Sequence, residues 1–124
     1  MIIAIGTDIV EIARIAELLE RQPERFVERV LCSAEREQYA ARSHSVAFVA
    51  TRFAAKEAIA KALGTGIGRG VSFQDMQITN DDKGAPHVTL TGGAAEVVQS
   101  RGGERVLISL ADERDYAIAY ATLC

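Results

Sequence analysis

RFAAKEAIAKALGTG, residues 52–66, is the stretch that decides the fold of this chain. It predicts the second half of a long helix that begins at Ser43 or Ser45 and ends at Leu63, with Gly64 at the position where helices commonly end on glycine. The helix's own side chains are apolar or alanine on nearly all sides, which is typical of a buried helix. Its charged residues are Arg52, Lys56, Glu57 and Lys61. Because buried charges need partners, either these groups meet others in the fold, or Glu57 and Lys61 form a weak surface pair one turn apart.

Composition limits the classes of protein to which the chain can belong. The 124 residues are 48% apolar and 25% charged, which predicts one globular domain spanning residues 1–124. A net charge of −3, no Trp and 6% aromatic residues give no indication of nucleic-acid binding. No apolar run approaches the ~18–20 residues of a membrane span, and the apolar start carries Asp8 and Glu11 without the basic segment of a signal peptide. We therefore expect a cytoplasmic protein whose Cys32 and Cys124 are reduced thiols.

The order of the predicted elements indicates an α+β fold. Strands are predicted over residues 2–10, 72–79, 87–91, 105–111 and 116–123, and further helices over 11–22, 23–30, 34–42 (capped by Ser33) and 94–100. There is no βαβ alternation, so we expect a mostly antiparallel sheet packed on the long central helix. The last strand, YAIAYATL, is apolar throughout. This predicts burial of both its faces, one of them in a subunit interface.

The glycine run GTGIGRG, residues 64–70, is superficially similar to a phosphate-binding loop. In Rossmann and P-loop folds such a run opens a helix, so that the helix N-terminus faces the phosphate. Here the run closes a helix, and the negative end of the helix dipole disfavours an anion. We interpret the run as a helix stop, although a phosphate could still bind through loop N–H groups and Lys61.

Asp8 and Glu57 are the candidate metal ligands. Asp8 shares a strand face with small and apolar residues, and Glu57 lies on the apolar helix, so each carboxylate needs a cation or a hydrogen-bond donor. Two carboxylates without His or Cys suit a hard cation such as Mg²⁺, whose coordination is often completed by water and phosphate oxygens. Lys61 could contact the same phosphate, whereas Arg52 points to another side of the helix.

Arginines recur near the start of the chain. Arg14 and Arg21 share an outer stripe of the first predicted helix, and Arg25 follows Pro23. Five glutamates are interspersed, so this region is either a solvated face of mixed charge or a ridge that docks an acidic partner.

Two segments together resemble a known enzyme family. GTDIVEIARI (6–15) and RFAAKEAIAKALGTG (52–66) closely resemble the two signature motifs of holo-acyl-carrier-protein synthase, the small phosphopantetheinyl transferase of bacterial fatty-acid synthesis. The turn NDDKGAP (80–86) and the ending ISLADERDYAIAYA (108–121) also fit, so the resemblance covers nearly the whole chain. It implies the transfer of 4′-phosphopantetheine from coenzyme A to a serine of apo-acyl carrier protein, which leaves adenosine 3′,5′-bisphosphate. It also implies a homotrimer with its sites between subunits.

The resemblance implies roles for individual residues. Asp8 and Glu57 would hold Mg²⁺, and Glu57 is also the candidate general base for the serine proton. The residues expected to contact coenzyme A are Arg52, Lys61, Gly64, Thr65, Gly66 and Pro86. Because acyl carrier proteins are acidic, Arg14, Arg21 and Arg25 become the expected docking residues.

One position departs from the family pattern. Many members carry a Ser-x-Ser-His segment where this chain has Ser109-Leu110-Ala111-Asp112. An aspartate would repel a phosphate, so we expect Asp112 to bond a backbone or base group instead. Two other functions are considered: a trimeric binding module without transfer activity, which the intact Asp8, Glu57 and Lys61 disfavour, and a thioesterase, which would not need a phosphate-directed metal pair.

Overall fold

The computed structural model describes residues 1–124 and follows the predicted order of elements. The helices are α1 (Ile12–Arg21), α2 (Pro23–Val30), α3 (Ser33–Ala41), α4 (Val46–Leu63) and α5 (Gly92–Ser100). The strands are β1 (Ala4–Glu11), β2 (Met76–Asn80), β3 (Pro86–Leu90), β4 (Val106–Asp112) and β5 (Tyr116–Leu123). All strand pairs are antiparallel, in one sheet of order β1-β5-β4 and a second sheet made of β2 and β3. The α+β prediction is confirmed, with two antiparallel sheets.

The bounds of the central helix confirm the prediction from its end signals. The Ser45 side chain accepts a hydrogen bond from the Phe48 N–H at 3.3 Å and caps the start of α4. Gly64 ends the helix with a φ of 81°, a left-handed conformation that favours glycine. Of the two serines predicted as possible start sites, Ser45 is therefore the cap.

Two local predictions are wrong. The cap of α3 is Cys32 and not Ser33, because the Glu35 carboxylate accepts the Cys32 N–H at 2.7 Å. The residues before β2 form a short 3-10 helix, Phe73–Asp75, instead of the start of a strand. Here the Asp75 carboxylate accepts the Ser72 N–H at 3.2 Å and stabilises a turn.

Small side chains allow the three-stranded sheet to lie close against α4. A Cβ atom on Gly6 of β1 would overlap the backbone carbonyl oxygen of Ala58 on α4. On β5, the alternate residues Ala117, Ala119 and Ala121 are fully or almost fully buried against the helix. This close approach brings the side chains of β1 within reach of those of α4.

The opposite face of the same sheet is exposed and apolar. Its large apolar residues are Ile5, Ile9, Leu107, Tyr116, Ile118 and Tyr120, each between 42% and 62% exposed. The predicted burial of both faces of β5 is therefore not met within one chain. None of the helices combines the length and the apolar character needed to cross a membrane.

Candidate active site

Asp8 and Lys61 meet across the contact between β1 and α4. Asp8 lies on the inner face of β1, two residues after Gly6, and its side chain is only 16% exposed. The Lys61 ammonium lies 3.1 Å from Asp8 Oδ1 and donates to the carbonyl oxygen of Thr7 at 2.9 Å. Lys61 thus pairs with Asp8 and not with Glu57, and the surface pair considered from the sequence is absent.

Glu57 faces the same cleft, whose volume is about 280 Å³. The cleft is also lined by Asp8, Arg14 and Phe53. Burial raises the pKa of Glu57 above its ordinary value, and the nearby negative charge of Asp8 raises it further, while Lys61 and Arg29 oppose the shift. A carboxyl group with a raised pKa beside a second carboxylate is typical of a metal or acid–base site.

The donor set of this cleft fits a hard divalent cation that is only partly held by protein. No group of three or more His, Cys, Asp or Glu side chains is placed to hold a metal ion. Two carboxylates, Asp8 and Glu57, do share the cleft, and a cation there would offset their mutual repulsion. Mg²⁺ commonly takes one or two carboxylates and completes its octahedron with water and substrate phosphates.

Arg52 lies in a second cleft of about 520 Å³ on another side of α4. Its side chain is buried at 4% exposure and has no carboxylate partner within ion-pair distance. Its guanidinium lies 4.4 Å from the Phe48 ring centroid and contacts Thr51 Oγ1 at 3.3 Å, while its Nε has no partner. Burial lowers the pKa of Arg52, yet arginine stays charged at neutral pH. A buried cation without a counter-ion, at the wall of a cleft, suits an anionic ligand.

The second cleft also contains Pro86 and Asp112, together with a residue that the sequence analysis did not select. Arg42 lines this cleft and lies 5.1 Å from the Phe48 ring centroid, so two guanidinium groups contact one aromatic ring. Arg42 lies in the turn after α3, where no local pattern marks it as functional. Asp112 is exposed and forms no ion pair, so its expected bond to a backbone or base group stays a prediction.

The loop after α4 offers fewer donors than the sequence suggested. The N–H of Gly64 bonds to the carbonyl oxygen of Lys61, and those of Thr65 and Gly66 both bond to that of Ala60. At these three residues the backbone donors therefore close the helix and are not free for a phosphate. The hypothesis that N–H groups of residues 64–70 bind a phosphate is therefore not supported at these three positions.

The predicted docking arginines are all exposed, and none has a carboxylate partner. Arg14 lines the cleft of Asp8 and Glu57, whereas Arg21 ends α1 and Arg25 lies on α2. The interspersed glutamates do not form ion pairs with these arginines, so the three guanidinium groups stay free.

Lys56 and Glu35 form a buried ion pair that the sequence analysis missed. Both side chains are 0% exposed, and their N–O distance is 2.6 Å. Lys56 also donates to the carbonyl oxygens of Val30 at 2.6 Å and Phe73 at 3.2 Å, while Glu35 accepts the Ile78 N–H at 2.8 Å. The sequence contains one signal of this pair. Lys56 lies on an apolar helix and has no acidic residue three or four positions away, so its partner must come from another segment.

Comparisons with known proteins show to which family the chain is similar. The family model of the 4′-phosphopantetheinyl transferase superfamily matches residues 4–121. The holo-[acyl-carrier-protein] synthase of Shewanella amazonensis is 50% identical over 123 residues, which cover 99% of this chain and 98% of that protein.

Two solved structures have the same fold. The crystal structure of holo-[acyl-carrier-protein] synthase from Neisseria meningitidis matches with a TM-score of 0.91 and 38% identity, over 99% of this chain and 98% of the other. The holo-[acyl-carrier-protein] synthase from Helicobacter pylori, in complex with coenzyme A, matches with a TM-score of 0.86 and 34% identity. The match covers 97% of this chain and 99% of the other. The chain therefore belongs to the holo-[acyl-carrier-protein] synthase family of 4′-phosphopantetheinyl transferases.

Proposed function

We propose that this enzyme transfers 4′-phosphopantetheine from coenzyme A to a serine hydroxyl of an apo-acyl carrier protein in the cytoplasm, in a Mg²⁺-dependent step of fatty-acid biosynthesis. The observation that carries the proposal is that Asp8 and Glu57 line one cleft while the Lys61 ammonium contacts Asp8. This set combines two oxygen ligands with a cation for a phosphate. The coenzyme A complex of the Helicobacter pylori relative supports the choice of donor.

The reaction balances as a displacement at the phosphorus nearer the pantetheine. The serine oxygen forms a bond to that phosphorus, the bond to the bridging oxygen breaks, and adenosine 3′,5′-bisphosphate leaves with the electron pair. The serine proton moves to Glu57, directly or through a water molecule. Glu57 lies in the cleft beside Asp8, and a carboxylate positioned there can act as the general base.

The remaining site residues bind and orient the two substrates. Asp8 and Glu57 would hold Mg²⁺, which supplies neutralisation of charge on the pyrophosphate when it is bound. Lys61 uses two of its three donors within the chain, which leaves one for a phosphate oxygen. Arg52 and Arg42 provide positive charge in the second cleft, which Pro86 borders, and Gly64, Thr65 and Gly66 allow the ligand to approach the end of α4.

The central experiment mixes the protein with apo-acyl carrier protein, coenzyme A and Mg²⁺. Mass spectrometry is expected to show one phosphopantetheine added to a serine of the carrier. If the carrier stays unmodified while the protein still binds coenzyme A and metal, the proposal is wrong and the chain is a binding module.

The base assignment has a separate test. Glu57→Gln keeps the size of the side chain but cannot take a proton, so transfer is expected to fall by about 10²-fold or more. Mg²⁺ binding is measured in parallel, since Glu57 is also a proposed ligand. A variant that keeps both its metal affinity and its transfer rate would exclude Glu57 as the base.

We also propose that three copies assemble through the exposed apolar face of the three-stranded sheet. This face places Ile5, Ile9, Leu107, Ile118 and Tyr120 side by side, and such patches are typical of interfaces. Assembly would explain why Arg52, a predicted coenzyme A contact, and Glu57, a predicted metal ligand, line different clefts of one chain. In the trimer, one cleft of each chain would complete the other cleft of its neighbour.

Subunit mixing tests this arrangement. Arg52→Met and Glu57→Gln each damage a different cleft, and each variant alone is expected to be nearly inactive. Mixed and reassembled trimers would contain some sites made from two intact clefts, so activity should return. Light scattering gives the oligomeric state, and trimers that exchange subunits without regaining activity would contradict a shared site.

Docking of the acidic carrier is assigned to Arg14, Arg21 and Arg25. Arg14→Glu is expected to weaken carrier binding and reduce its salt sensitivity, and Arg21→Glu, which lies outside the cleft of Asp8 and Glu57, should do the same while coenzyme A binding is kept. Equal carrier affinity in the variant and the parent protein would remove Arg14 from the docking surface.

A further inference from the structure

Arg101 lies at the end of α4, although the sequence analysis assigned it no role. It follows α5, and its Nη1 donates a hydrogen bond to the carbonyl oxygen of Ala62 at 2.8 Å. A Cβ atom on Gly64 would lie 3.5 Å from the same Nη1, so the guanidinium covers the point where α4 ends. A cation is therefore placed at the negative end of the central helix.

This end of α4 needs added positive charge if a phosphate binds there. The last carbonyl groups of a helix repel an anion. The N–H groups of Gly64, Thr65 and Gly66 cannot offset this repulsion, because all three are bonded to carbonyl oxygens of α4. Positively charged side chains at this end of the helix can supply the charge and the donors that these three N–H groups do not.

Arg101 has donors to offer. It is exposed, and the bond to Ala62 is its only side-chain hydrogen bond, which leaves most of its five N–H groups free. No carboxylate lies within ion-pair distance of its guanidinium. Its orientation is nonetheless restrained, because one nitrogen is held by the backbone of α4.

We infer that Arg101 binds the pyrophosphate of coenzyme A, together with Lys61. This inference rests on the proposed function. The pyrophosphate is preferred over the 3′-phosphate because Ala62, the anchor of Arg101, directly follows Lys61, whose ammonium contacts Asp8. Arg52 lies ten residues before Ala62, about 15 Å along the helix axis, and serves a different cleft.

The test separates charge from helix capping with two matched variants. Arg101→Gln keeps a donor for the Ala62 carbonyl but loses the charge, whereas Arg101→Lys keeps the charge. Calorimetry measures the dissociation constant of coenzyme A at several salt concentrations, and thermal unfolding reports the state of the fold. The same titrations with 3′-dephospho-coenzyme A show which phosphate is contacted.

Arg101→Gln is expected to weaken coenzyme A about fivefold to tenfold and to flatten the salt dependence of binding. Arg101→Lys should keep the salt dependence of the parent protein. The effect of Arg101→Gln should persist with 3′-dephospho-coenzyme A, because the pyrophosphate is still present.

Three results would overturn the inference. In the first, Arg101→Gln keeps the parent's salt dependence, which would leave Arg101 as a cap of α4. In the second, both variants lose affinity equally, and in the third the effect disappears with 3′-dephospho-coenzyme A. If the parent protein itself fails to bind coenzyme A, the proposed function is wrong, and this inference falls with it.

Discussion

The buried pair of Lys56 and Glu35 allows a sharp test of how the fold is held together. Replacing Lys56 with Met keeps most of the side-chain volume but removes the ammonium group. The Glu35 carboxylate, which is 0% exposed, then loses its only cation. The carbonyl oxygens of Val30 and Phe73 lose a donor as well.

The magnitude follows from these contacts. Removing one partner of a buried ion pair costs about 3–5 kcal/mol, because the other charge stays buried without compensation. A domain of this size has a free energy of unfolding of roughly 5–15 kcal/mol, so a large part of the stability would be lost. With a urea m value of about 1.5 kcal/mol per M, the unfolding midpoint should fall by roughly 2–3 M.

Urea unfolding followed by circular dichroism measures this change. Lys83→Met is the matched control, since it makes the same chemical change in an exposed turn and should shift the midpoint very little. The double variant Lys56→Met with Glu35→Gln removes both charges. It should be more stable than the sum of the single losses predicts, by about 1–3 kcal/mol.

Two results would refute this reasoning. A loss below about 1 kcal/mol in Lys56→Met would mean that the carboxylate finds water or another donor. Additive losses in the double variant would mean that the two side chains do not stabilise each other. In either case the pair would not be what joins α2, α3 and β2 to the central helix.

Three further predictions concern the site. Gly6→Ala should lower the free energy of unfolding in urea by about 1–3 kcal/mol, because β1 must move away from Ala58. This movement displaces Asp8, so the transfer rate should fall by up to 10²-fold. An unchanged transfer rate would show that this close approach is not needed. Arg52→Met should leave the ligand-free protein as stable or more stable, since it removes a buried unpaired charge, yet abolish most of the stabilisation by coenzyme A in thermal unfolding. The pKa of Glu57 is raised in the folded chain, so this carboxyl takes up a proton as the pH drops through that raised pKa toward the ordinary value. Over this pH range the affinity for Mg²⁺ should fall, whereas the free energy of unfolding of the metal-free protein should rise. Glu57→Gln should remove both pH dependences.

Local signals in the sequence predicted the elements and the first members of the site. The apolar circumference of α4, its serine cap and its terminal glycine are properties of neighbouring residues, so the burial and the bounds of this helix could be predicted. Asp8 and Glu57 were recognisable because each is a carboxylate in an apolar environment. The identity of the ligand came from the resemblance of two motifs to a family, and the comparisons confirm that family.

Pairings between distant segments depended on the tertiary structure. Lys61 was expected near Glu57, yet its partner is Asp8, because Gly6 lets β1 approach the backbone of α4. Lys56 on α4 has no acidic residue one turn away along its own helix. Its partner, Glu35, lies on α3, which packs beside Lys56 in the folded chain. Helical periodicity gives the direction of a side chain from its own axis, but not which element lies opposite.

The sequence and the tertiary structure therefore each determine a different property of the stretch at residues 52–66. By itself, RFAAKEAIAKALGTG determined that a buried helix would carry four charges and stop at a glycine. Only the packing of β1 and α3 against α4 decided that Lys56 pairs with Glu35 in the core, that Lys61 pairs with Asp8 and that Arg52 has no counter-ion. The physical reason is that a charge removed from water needs a partner, and the partners of Lys56 and Lys61 are distant in sequence.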